Sequence, residues 1–90
     1  MNIYGIIITE LIGTFVFLSV ILKTGNALAI GIALSASIYM SSGASGGHFN
    51  PAVSVMMYAN QKIGINILLC YIASQILGGL LALKYHNTFN

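Results

Sequence analysis

Ser45-Gly46-Gly47-His48-Phe49-Asn50-Pro51-Ala52-Val53-Ser54 interrupts, near its middle, a 90-residue chain that otherwise reads as lipid-soluble helix. The run Gly43-Ala44-Ser45-Gly46-Gly47 cannot remain helical cheaply, because glycine gives up the most backbone freedom in a helix. Pro51 then suits the first turn of a new helix, where its fixed φ is right and its missing N–H costs nothing. The stretch predicts a helix stop, an irregular loop and a helix start in close succession.

Composition says where such a loop sits. Hydrophobic residues make up 58% of the chain and charged residues only 4%, against about a quarter charged in a soluble domain. The chain belongs in a lipid bilayer. Its net charge of +2 comes from Lys23, Lys62 and Lys84 against Glu10, spread along the sequence, so no basic stripe points to nucleic acid or anionic lipid. Cys70 is the only cysteine, which excludes an intrachain disulfide and a CxxC site. Met1 to Leu22 carries no positive side chain in front, is too long for a signal core and is followed by no A-x-A site. An uncleaved spanning helix is expected there.

Working outward, residues 3–22 form a bilayer-length apolar run, broken only by Thr and Glu10, that ends at Lys23-Thr24-Gly25-Asn26. Residues 27–42 form a second helix rich in Ala, Gly and Ser, residues 43–50 a re-entrant loop, and residues 51–58 a helix of about two turns. That segment is too short to span. Residues 63–83 are again bilayer length, with Lys84-Tyr85-His86-Asn87 meeting the far interface. The fold class expected is an all-α membrane protein, one unit over 1–90, with three transmembrane helices and one re-entrant half-helix. Small residues recur every four positions (Gly5, Thr9, Gly13; Ala27, Gly31, Ser35; Ser74, Gly78, Ala82), the pattern by which helices approach closely in lipid.

Irregular backbone at membrane depth is tolerated only where protein buries it or a wet cavity receives it. Asn50 is expected to cap the half-helix, whose positive dipole end then points at the bilayer midplane. The carbonyls of Gly46, Gly47, His48 and Phe49 are left without helical partners and can form a ladder of acceptors for a polar solute. Glu10, ionisable inside a helix, needs a polar partner, and loop N–H groups are such a partner.

SGGHFNPAVS resembles the first Asn-Pro-Ala loop of the aquaporins, the major intrinsic protein family. TELIGTF, from Thr9 to Phe15, is similar to that family's first-helix motif with its membrane-embedded glutamate, and YIASQILGG, from Tyr71 to Gly79, to its third helix. The resemblance implies a passive channel for water or small uncharged solutes such as glycerol. It implies pore roles for Gly46, Gly47, His48, Phe49, Asn50, Pro51 and Ala52, with Asn50 as the midplane donor, and it implies that Glu10 and Gln75 brace the loop from behind. Gln75 also reads as glue between helices. His48 has no second His, Cys or carboxylate at ligand spacing, and the resemblance assigns that position its backbone carbonyl. Neither a metal nor another cofactor is expected, and no nucleophile, base and orienting group occur together, so no enzyme is expected.

Departures from the family pattern matter equally. Its members carry two inverted repeats in one chain, and the second supplies an arginine after its own Asn-Pro-Ala. Here there is one repeat, Val53 stands in that place, and Ile30 falls where a filter aromatic is usual. With a second copy as the missing repeat, Ile38, Gly47 and Val53 fill the remaining filter positions and make an apolar constriction. In the orientation the resemblance implies, Lys62 and the N-terminal amine face the cytoplasm, while Lys23 and Lys84 face outside. That balance sets no topology, so an antiparallel, dual-topology homodimer in a larger assembly is expected. Two alternatives stand beside it: a small coupled transporter using Glu10, and a non-conducting fragment that needs a second-half partner.

Overall fold

A computed structural model describes residues 2–89, which form four helices: α1 (Ile3–Thr24), α2 (Ala27–Met40), α3 (Pro51–Ala59) and α4 (Ile65–Phe89). Local chemistry sets the first boundaries. Asn2 Oδ1 accepts from the N–H of Tyr4 at 2.8 Å and starts α1, while Gly25, at φ 58°, ends it by donating its N–H to Ile21 O. Asn26 Oδ1 then accepts from Ala29 N at 2.9 Å and opens α2.

All four helices depart from the boundaries read in the sequence: α1 and α3 run two residues and one residue further, to Thr24 and Ala59. α2 stops at Met40 rather than Ser42, because the Ser41 hydroxyl donates to Ile38 O at 2.7 Å and Ser41 O collects the N–H groups of Ala44, Ser45 and Gly46. Its 14 residues reach only about 21 Å at 1.5 Å per residue, short of the bilayer core. α4 begins at Ile65 rather than 63 and continues through Lys84, Tyr85, His86 and Asn87 to Phe89. No Gly or Pro stops it there, His86 complements the negative end of the helix dipole, and Tyr85 packs edge-on to Phe15 with ring centroids 5.7 Å apart.

α1 and α4 cross at close range. A Cβ at Gly78 would lie 2.7 Å from Leu11 O, and one at Gly79 would lie 3.0 Å from Leu18 Cδ1. Ser74, Gly78 and Ala82 are all buried on α4, as is Gly13 on α1. The α2 stripe differs: nothing lies within 4 Å of a Cβ built at Gly31, so Ala27, Gly31 and Ser35 face no helix of this chain. α2 touches α1, and α3 touches α4.

The distribution of side chains is inverted relative to a water-soluble protein. Glu10, Thr14, Ser41, Ser45, Ser54, Ser74 and Gln75 are buried, whereas Ile8, Ile12, Ile32, Leu69, Ile76 and Leu80 are exposed. Exposed apolar surface on this scale is what lipid covers. Two helices, α1 and α4, are long and apolar enough to cross a membrane. Together these features make the chain an integral membrane protein.

Candidate functional site

The loop between α2 and α3 is irregular because its backbone requires it. Gly43, Gly46 and Gly47 lie at φ 82°, 80° and 68°, a region that side chains disfavour. A Cβ at Gly47 would also meet Ser41 Oγ at 2.5 Å and Ile38 Cα at 3.0 Å. Phe49 takes the same region, at φ 53°, with a full side chain, at a cost of about 1–2 kcal/mol. Two contacts hold it there: its N–H donates to Glu10 Oε1 at 2.8 Å, and its ring occupies the space left beside Gly13, which has no side chain.

The N–H groups of residues 46–49 are all satisfied. Gly46 donates to Ser41 O at 3.3 Å, Gly47 to Ser45 Oγ at 3.1 Å, His48 to Glu10 Oε2 at 3.1 Å and Phe49 to Glu10 Oε1. Among the described residues, no hydrogen bond reaches the carbonyl of Gly46, Gly47, His48 or Phe49. The loop is thus tied down on its donor side and left open on its acceptor side. For backbone in a bilayer, where unpaired groups are costly, that one-sidedness calls for a polar partner.

Asn50 continues the pattern with opposite polarity. At φ −157° it caps α3, with Oδ1 accepting from Ala52 N at 2.9 Å. Committing the oxygen to the helix fixes the amide's orientation and leaves Nδ2 as a donor with no partner among the described residues. Asn50 and Pro51 are exposed to a cavity of about 460 Å³ walled by Thr14, Phe17 and Leu18 of α1 and Gln75, Ile76 and Leu80 of α4. α3 itself has nine residues, a length of about 13 Å. Its far end is a Schellman turn in which Lys62 N donates to Met57 O and Gln61 N to Tyr58 O, with Gln61 at φ 61°.

Behind the loop, Glu10 is completely buried and accepts four hydrogen bonds, from Ser45 Oγ, His48 N, Phe49 N and Gln75 Nε2 at 2.8–3.1 Å. An ionised carboxylate, acceptor-only, matches four donors. Gln75 Nε2 also donates to Ser54 Oγ at 2.9 Å, so Gln75 joins loop, α1 and α3 to α4. Ser54 Oγ also lies 2.8 Å from His48 Nδ1, in a hydrogen bond whose direction follows the imidazole tautomer. The imidazole stacks on Tyr71 with centroids 4.0 Å apart and planes 12° from parallel, and Tyr71 Oη donates to Ser45 O at 2.5 Å.

The sequence reading named Glu10, Gln75 and residues 46–52, which lie together in the fold. It assigned no role to Ser45, Ser54 or Tyr71, although all three are buried within this network. One signal was present: Tyr71 and Gln75 are four apart on one helix face, with Ser74 and Gly78 beside them. Ile30 is half-buried on α2, Ile38 is exposed two turns further on, and Val53 is half-buried in the first turn of α3. None of the three walls the cavity against Asn50.

An irregular loop with its carbonyls unbonded among the described residues, a capped short helix and a buried carboxylate, set between long apolar helices, define a helical membrane protein with a polar interior. The family model for the major intrinsic proteins matches residues 1–88, and the chain belongs to that family. It is 42% identical over 84 residues to glycerol uptake facilitator protein-like 6 of Lactiplantibacillus plantarum, covering 83% of this chain and 39% of that protein. It is 36% identical over 88 residues to aquaporin Z of Photorhabdus laumondii, covering 81% of this chain and 38% of the relative. Similarity to aquaporin PIP1-1 of Arabidopsis thaliana is 33% over 90 residues, 81% of this chain and 32% of the relative. The chain therefore spans less than two fifths of the length of these relatives. No solved structure matches it.

Proposed function

We propose that this chain is a passive channel for water or small uncharged solutes such as glycerol, conducting as an antiparallel homodimer gathered into a larger assembly. The observation that carries this reading is the one-sided loop: every N–H from residue 46 to 49 is paired and, among the described residues, no carbonyl there is. A neutral solute that can donate hydrogen bonds replaces its water shell on those carbonyls, then meets the Asn50 amide as a donor. Cations are disfavoured by the positive N-terminus of α3. Ile30, Ile38, Gly47 and Val53 serve as the filter, apolar and without a fixed cation, so small neutral solutes pass along with water.

The second copy follows from length. A half-helix of about 13 Å reaches only halfway through a hydrocarbon core of about 30 Å, so a pore needs another one from the opposite face. Lys62 on one side stands against Lys23 and Lys84 on the other, a charge difference too small to impose one orientation. A coupled transporter would need Glu10 free to exchange protons, yet four donors engage its carboxylate.

The test is stopped-flow osmotic shrinkage of phosphatidylcholine vesicles containing only this chain, with water and with glycerol, with and without a proton gradient. Flux of both, independent of the gradient, supports the channel. Gradient-driven uptake makes the chain a coupled transporter. Vesicles no leakier than protein-free ones leave the fragment that needs a second-half partner.

A further inference from the structure

We propose that Tyr71 is a positioning residue for the pore, a clamp that sets the orientation of the free loop carbonyls. The inference rests on the channel reading above. It starts from where the free carbonyls begin. Ser45 O is bonded, by Tyr71 Oη, and among the described residues the next four carbonyls have no partner. Tyr71 therefore marks the boundary between backbone held by protein and backbone offered to solute.

Its ring makes a second contact, stacking on the His48 imidazole. One fully buried side chain on α4 thus grips the loop at residue 45 by hydrogen bond and at residue 48 by ring contact, with Gly46 and Gly47 between. Those two glycines are at positive φ and carry no side chain to hold them, so hydrogen bonds set the orientation of their peptide planes. Glu10 fixes the N–H groups of His48 and Phe49, and with the first of them the Gly47 carbonyl in the same peptide plane; the Gly46 carbonyl lies beyond its reach. The Gly46 carbonyl shares its plane with the Gly47 N–H, which Ser45 Oγ holds, and Ser45 is itself held at its carbonyl by the Tyr71 hydroxyl. Without it, the Ser45 carbonyl is a buried acceptor with no partner, and a turn of the 45–46 peptide, which also breaks the Gly46 N–H bond to Ser41 O, moves the serine whose hydroxyl holds the plane of the Gly46 carbonyl.

The experiment compares wild type, Tyr71→Phe and Tyr71→p-aminophenylalanine in the full-length chain. Phe keeps the ring and the stacking but removes the donor, whereas the amino analogue restores a donor. Losing one hydrogen bond shifts the balance between the held and the turned peptide by about fivefold. The expected result is a change of about that factor in the ratio of glycerol to water permeability per folded protein with Phe, and its return with the amino analogue. Carbonyl ¹³C shifts of Ser45, Gly46 and Gly47 in detergent are measured alongside, and all three move with Phe and recover with the amino analogue. A merely structural role lowers stability while leaving the permeability ratio and the glycine shifts alone, and that result overturns the proposal. A wild-type chain that conducts nothing defeats the channel reading separately, and the glycine shifts then decide the clamp.

Discussion

Replacing Glu10 by Gln changes one atom in a completely buried side chain, and its consequence follows from counting donors. The carboxylate receives four, two on each oxygen: Ser45 Oγ and His48 N on Oε2, Phe49 N and Gln75 Nε2 on Oε1. An amide offers one acceptor oxygen and turns its NH₂ towards the other pair. If the NH₂ faces Ser45 and His48, the serine hydroxyl can rotate to accept but the His48 N–H cannot. If it faces Phe49 and Gln75, the glutamine can flip but the Phe49 N–H cannot. Either way one main-chain N–H of the loop is buried against a donor, at a cost of about 1–3 kcal/mol. Glu10→Leu strands both main-chain N–H groups, for about 2–6 kcal/mol. The assay is reversible unfolding in mixed detergent micelles, with far-ultraviolet circular dichroism as readout. Leu should lose about twice what Gln loses, by the same one-N–H cost. If both variants unfold within about 0.5 kcal/mol of wild type, as harmless substitutions do, the carboxylate does not hold the loop.

Two further substitutions separate pore chemistry from folding. Asn50→Asp keeps an oxygen to cap Ala52 and places a negative charge at the N-terminus of α3, so stability should hold or rise by about 0.3–1 kcal/mol. It removes an amide donor that has no partner among the described residues, so neutral-solute flux should fall roughly fivefold and cation leak should rise, both measured in vesicles. Gln61→Gly relieves a left-handed residue at the Schellman position and should stabilise by about 0.5–1 kcal/mol in the same unfolding assay, with flux unchanged.

What the sequence made legible were features that act locally. Asn50 and Pro51 mark a helix start by cap and fixed φ, within consecutive residues. The membrane class follows from composition alone, and Glu10 stands out because an ionisable group inside an apolar helix demands an explanation. The ends of α2 and α4 were harder to read, because Ser41 stops one helix through its side chain while nothing in Lys84-Tyr85-His86-Asn87 stops the other. Ser45, Ser54 and Tyr71 stayed hidden for a different reason. Their hydroxyls meet partners 35, 21 and 26 residues away in the chain, and a serine in an apolar run looks the same whether it packs or bonds. Ile30, Ile38 and Val53 wall no part of the cavity against Asn50, and the filter proposed for them draws on a second copy.

The pairing of inverted copies is therefore the claim on which the rest depends, and orientation tests it most directly. Reporters fused to the C-terminus should be active on both sides of the membrane. Adding two lysines to the loop around Lys62 should drive insertion one way and abolish flux, and coexpression with a variant biased the other way should restore it. C-terminal reporters confined to one side, or undiminished flux from the singly oriented protein, would contradict the antiparallel pore.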